Sequence, residues 1–300
     1  MKNINIIMAL SATLYLAGCA GPEIRLAKVS EEVSAAGRKH DMDAINNLSS
    51  SITAEDLSPT RMKKYSDKAV DSMFRALMKI SLYLPDEENY TLRMERAFKE
   101  KGRRGNNMGD DTERMYNAFI MSGLFSKAVA LRREFPDKSL PEVPEIVPVD
   151  TVKSEGWWVY KVSEQGKKVN LQLLPKSGQA IAMVIRPGCE FAEMAADGIF
   201  ADSELGPVFR AKGFMLTRAF DPAGVETVKK HSNFDAVYIA RKSSDFPGFS
   251  LLRISPTFYF IKDGKILDEF SGWDNDGGGK YAKNKIRNGL AAIGIKTKTE

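Results

Sequence analysis

Residues 255–272 read Ser255-Pro256-Thr257-Phe258-Tyr259-Phe260-Ile261-Lys262-Asp263-Gly264-Lys265-Ile266-Leu267-Asp268-Glu269-Phe270-Ser271-Gly272. Asp-Gly between two apolar runs is a strong hairpin signal, because both central positions of the tight turn favour positive φ. The stretch therefore predicts a proline-led strand over residues 258–261 and a return strand over residues 265–270. Upstream, residues 180–185 form a continuous apolar run, as expected of a strand covered on both faces. Pro187-Gly188-Cys189 breaks that run.

Residues 190–196 then take a helical pattern, with Phe191, Met194 and Ala195 on one side. Asp202 or Ser203 caps a further helix closed by Gly213, and residues 214–220 read as a strand. Asp221-Pro222 is a helix start, a capping side chain followed by a first-turn proline. Residues 235–240 and 249–254 read as further extended segments. Before the buried run, residues 157–162 and 169–174 alternate as strands, with Gln165-Gly166-Lys167 between them as a turn. A last amphipathic helix is expected over residues 281–293.

The first half has a different period. Residues 24–135 read as helical. Apolar positions Met62, Ala69, Val70, Met73, Phe74, Leu77, Ile80 and Leu84 place a helix over residues 60–84, opened by Ser58-Pro59 and stopped by Pro85. Another helix is expected over residues 87–101, ended by Gly102, and a third from Asp110 or Asp111, whose carboxylates suit a helix amino terminus. The stretch Tyr116-Asn117-Ala118-Phe119-Ile120-Met121-Ser122-Gly123-Leu124-Phe125-Ser126-Lys127-Ala128 resembles a tetratricopeptide helix–turn–helix, with Gly123 opening the turn and Ala128 allowing close packing. Ala35-Ala36-Gly37 followed by Asp43-Ala44-Ile45 is a fainter echo. No regular repeat at a period of ~34 residues accompanies them, so the expectation is a helical bundle or degenerate helical repeat. Pro136, Pro141, Pro144 and Pro148 are four of the 13 prolines. They mark residues 136–150 as an extended linker.

The amino end begins with Lys2 and an apolar run over residues 4–16, too short for a bilayer core that needs ~20 residues. It has the layout of a secretory signal. Its end, Leu16-Ala17-Gly18-Cys19, resembles the bacterial lipobox. That resemblance implies cleavage before Cys19, acylation of Cys19, and, with Ala20 following, sorting to the outer membrane with the body facing the periplasm. The expected layout is a signal peptide over residues 1–18 and a lipidated tether over 19–23. A helical domain then covers 24–135, the linker 136–150, an α/β domain 151–296 and a tail 297–300. About 282 residues after the signal fit two domains. Formal charge is +5 and the basic residues are scattered, so nothing forms the basic stripe that nucleic-acid binding needs.

The chain contains two cysteines. With Cys19 committed to lipid, Cys189 has no partner in its own chain. The order of buried strand, cysteine at a helix start, strand, helix, proline-led strand, Asp-Gly hairpin and terminal helix resembles the thioredoxin family over residues 155–295. Two local matches carry it: Cys189 at the position of the family's first active-site cysteine, and Ser255-Pro256-Thr257 followed by Lys262-Asp263-Gly264-Lys265. The resemblance implies a mixed sheet flanked by helices, a cis Pro256 beside Cys189, and a substrate or partner groove formed by Arg186, Pro187, Gly188, Ser255, Pro256 and Thr257. Within it the backbone of Ser255 would pair with an extended peptide.

One departure matters. The family's redox pair is Cys-x-x-Cys, and here the stretch is Cys189-Glu190-Phe191-Ala192. A two-cysteine enzyme releases itself from a mixed disulfide with its second thiol, and Ala192 supplies none. Ala182 and Arg186 likewise fail the proline and Thr/Ser pattern of peroxiredoxins. Two expectations follow. One is an envelope lipoprotein that binds an envelope protein partner through this domain without redox turnover. The other is a monothiol thiol–disulfide exchange protein, an oxidoreductase or isomerase, in which Cys189 is the nucleophile and an external thiol finishes the cycle.

Other chemistries find little support. No cofactor is expected. His40 and His231 lie in different predicted domains, and no zinc set is apparent. His231 follows Lys229-Lys230 near a helix end, where a cation complements the dipole. Asp274-Asn275-Asp276-Gly277 starts like a calcium loop but has glycine at the fourth position instead of the sixth and Lys285 at the twelfth. Gly277 to Gly279 are not followed by the Lys-Ser or Lys-Thr pair of a phosphate loop.

Overall fold

A computed structural model describes residues 21–39, 41–106, 108–148, 155–250, 254–274 and 278–297. It is a mixed α/β structure, with eleven α-helices and one eight-stranded sheet among the described residues. The chain divides into two compact units, one ending at Pro141 and the next beginning at Glu142.

The first unit is helical: α1 (Pro22–Arg38), α2 (Met42–Ser49), α3 (Pro59–Met62), α4 (Asp67–Tyr83), α5 (Glu88–Arg103), α6 (Asp111–Met121) and α7 (Phe125–Glu134). α4 lies at its centre, packed against α1 and α5. It buries Val70, Met73, Phe74, Leu77 and Ile80 completely, the stripe that its 3.6-residue period sets up. The close α1–α4 approach needs Gly37, where a Cβ would fall 2.1 Å from Cζ of Tyr83.

The single helix expected over residues 60–84 is two. Ser66 accepts a hydrogen bond from the Ala69 amide at 3.1 Å and starts α4 afresh, an N-cap that competes with continuing the earlier helix. Arg104 donates to the carbonyls of Met62 (2.6 Å) and Tyr65 (2.9 Å), which holds the break between α3 and α4. α5 runs through Gly102, and the left-handed residue after its end is Gly105, φ +74°. The turn between α6 and α7 forms as expected, with Gly123 at φ +72° and Ala128 fully buried.

Two ionic clusters, each built on a buried charge, tie this unit together. Lys101 is 5% exposed and bridges Asp71 and Asp111, with its ammonium 5.0 Å from the centre of the Phe74 ring. Glu100 accepts from Arg103 at 2.7 Å and from Arg104 at 2.8 Å. The Arg103 hydrogen bonds above all, then those of Arg104, outweigh burial and hold the Glu100 carboxyl down to about 2.

The second unit contains β1 (Glu145–Val147), β2 (Gly156–Ser163), β3 (Lys168–Pro175), β4 (Gln179–Val184), α8 (Glu190–Phe200), α9 (Leu205–Lys212), β5 (Gly213–Thr217), α10 (Pro222–Ser232), β6 (Val237–Ala240), β7 (Thr257–Lys262), β8 (Lys265–Ser271) and α11 (Lys280–Ala292). The sheet order is β1-β3-β2-β6-β5-β4-β7-β8. β4 runs parallel to β5 and antiparallel to β7. Its residues alternate between two cores. Ile181 and Met183 pack with Ala195, Ile199 and Leu290 on one face, and Ala182 and Val184 with Trp157, Phe246 and Tyr259 on the other.

Several starts fall where the side chains demand them. Asp221 accepts from the Gly224 amide at 2.9 Å to open α10. Asp202 accepts from the amides of Glu204 and Leu205, both at 3.0 Å, ahead of α9. Asp263 and Gly264 turn the β7–β8 hairpin with φ of +50° and +77°. Three expectations are corrected. The proline-rich stretch is not linker to its end, since Glu145–Val147 pairs in parallel with β3. Phe249 and Ser250 form no strand; the Phe249 ring instead packs 4.5 Å from that of Tyr259. Residues 251–253 lie outside the described residues. The buried face of α8 is Ala192, Ala195, Ala196 and Ile199, and Phe191 is 46% exposed.

Candidate functional site

The site forms where β4 leaves the sheet. The Ile185 amide donates to the Leu216 carbonyl at 2.8 Å, the last tie to β5. Arg186-Pro187-Gly188 then turns the chain, with Gly188 at φ +75° and the Cys189 amide donating to the Arg186 carbonyl at 3.0 Å. Cys189 occupies the N-cap position of α8, and its carbonyl accepts from the amides of Ala192 (2.9 Å) and Glu193 (3.1 Å). The side chain packs against the sheet core yet is only half-buried.

β7 brings the second wall. Its register pairs Thr257 with Val184, so the residues just before Thr257 face those just after Val184. The Ser255–Pro256 peptide is cis. The Arg186 amide donates to Ser255 Oγ at 2.9 Å, and the Cys189 thiol donates to the Ser255 carbonyl at 3.6 Å. Cys189, Arg186, Pro187, Gly188, Ser255 and Pro256 are thus together, though far apart in sequence.

Two details differ from expectation. The Ser255 carbonyl, read as open to an extended peptide, receives the Cys189 thiol instead. Thr257 is 5% exposed, and its hydroxyl is engaged by the Ile254 carbonyl at 2.7 Å and Ser271 Oγ at 2.8 Å. Pro256 is buried as well. Both belong to the floor of the site.

Its accessible rim consists of Arg186, Gly188, Glu190, Phe191 and Ile254, all exposed. Ile254 is 51% exposed, an apolar side chain beside the thiol that the sequence reading did not single out. Phe191, grouped from the sequence with Met194 and Ala195, instead stands off the buried stripe of Ala192, Ala195, Ala196 and Ile199. Position 192, where the thioredoxin family carries its second thiol, is 6% exposed and packed into the core.

Behind this turn a very small cavity of about 10 Å³ lies between α8 and α10, lined by Ile185, Ala192, Ala196, Met215, Val228 and His231 among others. His231 Nε2 lies 2.9 Å from Asp197 Oδ1 and links the two helices.

Asp274 accepts from the amides of Tyr281 (3.2 Å) and Ala282 (2.9 Å), so its carboxylate caps α11. The rest of that acidic stretch, 275–277, lies outside the described residues, as do Cys19 and His40. Among the described residues no group of three His, Cys, Asp or Glu is placed to hold a metal ion. No helix among them is long and apolar enough to cross a membrane. Comparison of the chain with protein-family models, with curated proteins and with solved structures gives no match.

Proposed function

We propose that the second unit is a thioredoxin-like domain that binds a protein partner at the Cys189–Ser255 edge, and that the chain is a lipoprotein anchored through Cys19 in the outer membrane. The observation that carries the binding reading is the combination at one point of a half-buried thiol at a helix start, exposed Phe191 and Ile254 beside it, and a buried alanine at position 192. Exposed apolar side chains around a concave turn are what partner surfaces are made of. The strand order β6-β5-β4-β7-β8, with a cysteine after β4 and a proline before β7, supports the thioredoxin-like assignment. The helical unit, with its α6–α7 hairpin, is a second surface of the kind that helical repeats use for proteins.

A photo-crosslinking residue at position 191 in cells tests the reading. A defined adduct is expected, surviving Cys189→Ser and lost with Ile254→Asp. No adduct, or loss of every adduct with Cys189→Ser, overturns it. For the anchor, Cys19→Ser is expected to move the chain out of the membrane fraction; retention there refutes it.

The half-exposure of Cys189 favours a second reading, thiol–disulfide exchange. The Cys189 thiolate attacks one sulfur of a partner disulfide, forms a mixed disulfide and expels the other sulfur as thiolate. An external thiol then attacks the mixed disulfide and restores Cys189. Alkylation of native protein by iodoacetamide tests it: reaction only after unfolding eliminates this chemistry.

A further inference from the structure

We infer that the helical unit carries a small-molecule site of its own, a trough between α5, α6 and α7 that takes a single-chain aliphatic monocarboxylate, a fatty acid of medium chain length. The inference does not depend on the Cys189 edge, which belongs to the other unit.

The trough has a volume of about 350 Å³, near the lower end of the ~300–1,000 Å³ of small-molecule sites. Phe98, Met115, Phe119 and Leu131 line it, and each is 5% exposed or less. The Phe135 ring closes one wall, edge-on to Phe98 with ring centres 6.0 Å apart. Met108 joins Met115 on the lining. Two flexible thioether chains repack readily around an unbranched aliphatic chain.

The charges are placed unevenly along this apolar lining. At one end two ammonium groups share a single carboxylate: Glu95 lies 2.8 Å from Lys99 and 2.9 Å from Lys127. Lys127 Nζ also stands 5.9 Å from the centre of the Phe119 ring, so this cation lies against the apolar wall. One positive charge remains there after Glu95 is counted, and a ligand carboxylate completes the set. Arg103 adds nothing to that excess, because it is held bidentate by Glu100, at 2.7 Å for each contact.

Glu134 lines the other end. Lys127, Ala130, Leu131 and Glu134 share one face of α7 at helical spacing. Seven residues of helix, about 10 Å, separate Lys127 from Glu134. The carboxylate head of the ligand therefore belongs beside Lys127, and its chain runs over Phe98 and Leu131 toward Glu134. A second carboxylate at the far end of the chain would meet Glu134, so the trough selects for one anionic group.

Isothermal titration calorimetry of the full chain carrying Cys19→Ser, with decanoate below its micellar range, tests this. Saturable one-to-one binding is expected. Decanol keeps the chain and loses the charge, and decanedioate adds the second carboxylate; each should bind at least about tenfold more weakly. Lys127→Met leaves Glu95 its contact with Lys99, and should weaken decanoate about tenfold while leaving decanol unchanged. Ala130 is exposed and lines the trough, so Ala130→Trp fills it from outside and should abolish binding of both, with the far-ultraviolet circular dichroism unchanged. No saturable binding, equal affinity for decanoate and decanol, or undiminished binding by Ala130→Trp overturns the inference. Naphthoate bound more tightly than decanoate assigns the trough to aromatic acids and overturns it as well.

Discussion

Ala192→Cys puts a second thiol one helical turn after Cys189. Position 192 is 6% exposed, and its amide already donates to the Cys189 carbonyl at 2.9 Å, so the turn is closed and the two side chains are neighbours. The cavity that Ala192 helps to line is only about 10 Å³, so the added sulfur fits with some crowding. In the reduced variant the lower helix propensity of cysteine and residual crowding cost about 1 kcal/mol. Oxidation then closes a loop of four residues. The chain-entropy relation assigns such a loop about 2 kcal/mol, and strain in so short a ring reduces the gain to about 1 kcal/mol. For a unit of this size that is a rise of roughly 2–4 °C in Tm over the reduced variant.

The assay has two parts. Thiol titration is expected to count two free thiols on Cys19→Ser/Ala192→Cys before treatment with a small disulfide and none after, with no dimer on a non-reducing gel. Melting of the oxidised and reduced forms supplies the stability difference. Two thiols that remain titratable under excess oxidant, or that form only intermolecular bonds, would show that the turn does not have dithiol geometry. The thioredoxin-like reading of the site would then be wrong.

Three further outcomes concern stability. Lys101→Met removes the buried cation between Asp71 and Asp111, which keep Arg75 (2.6 Å) and Arg114 (2.7 Å) as partners, so by denaturant unfolding it should cost less than the about 3–5 kcal/mol of a buried pair broken outright. Adding Asp71→Asn and Asp111→Asn to it should recover most of that loss; no recovery would assign the cost to packing. Glu100, held down to about 2 from 4.5, contributes stability that is present above pH 4.5 and is lost as pH falls through about 2. The contribution is about 2–3 kcal/mol once screening of the exposed Arg103 is allowed for, so Glu100→Gln should flatten the acid limb of the unfolding curve between those values. Gly289→Ala gains about 1 kcal/mol of helix propensity but sets a Cβ 2.2 Å from the fully buried ring of Phe260. Overpacking of about 1–3 kcal/mol should win, and a higher Tm would refute the close fit of α11 on β7.

Much of the second unit was legible because its signals are local. Asp263-Gly264, Asp221-Pro222 and the uninterrupted apolar run of β4 each state a backbone requirement within a few residues, and each element forms there. The joining of Cys189 to Ser255 was legible only through the resemblance, since nothing local at residue 189 points to residue 255; antiparallel pairing of β4 with β7 brings them together. What was not legible depended on long-range competition. The break before α4 is decided by Ser66 and by Arg104 reaching back to the Met62 and Tyr65 carbonyls. The end of α5 passes Gly102 because no residue there takes a left-handed φ, which falls to Gly105. Glu145–Val147 is a strand because β3 offers it an open edge, a fact absent from its own proline-rich neighbourhood. The exposure of Ile254 likewise follows from the lead-in to β7, with no periodic pattern to announce it.

The burial of position 192 bears on how binding and thiol chemistry relate in this chain. A thioredoxin-family domain with two thiols makes a mixed disulfide transient, because the second sulfur stands one turn away to break it. Here the methyl group of Ala192 is sealed against the sheet core, so a disulfide made at Cys189 persists until another molecule's thiol arrives. Turnover then depends on the supply of that thiol. Under the proposed binding function, the dwell of a bound partner is set by the contacts of Phe191 and Ile254 together with any covalent bond. Loss of Cys189 should therefore shorten a complex without abolishing its recognition, whereas loss of the apolar rim should abolish recognition with the thiol intact. Measuring partner dissociation rates for Cys189→Ser beside Phe191→Asp separates the two contributions. Equal losses from both substitutions would mean that the sulfur, and not the surface around it, selects the partner.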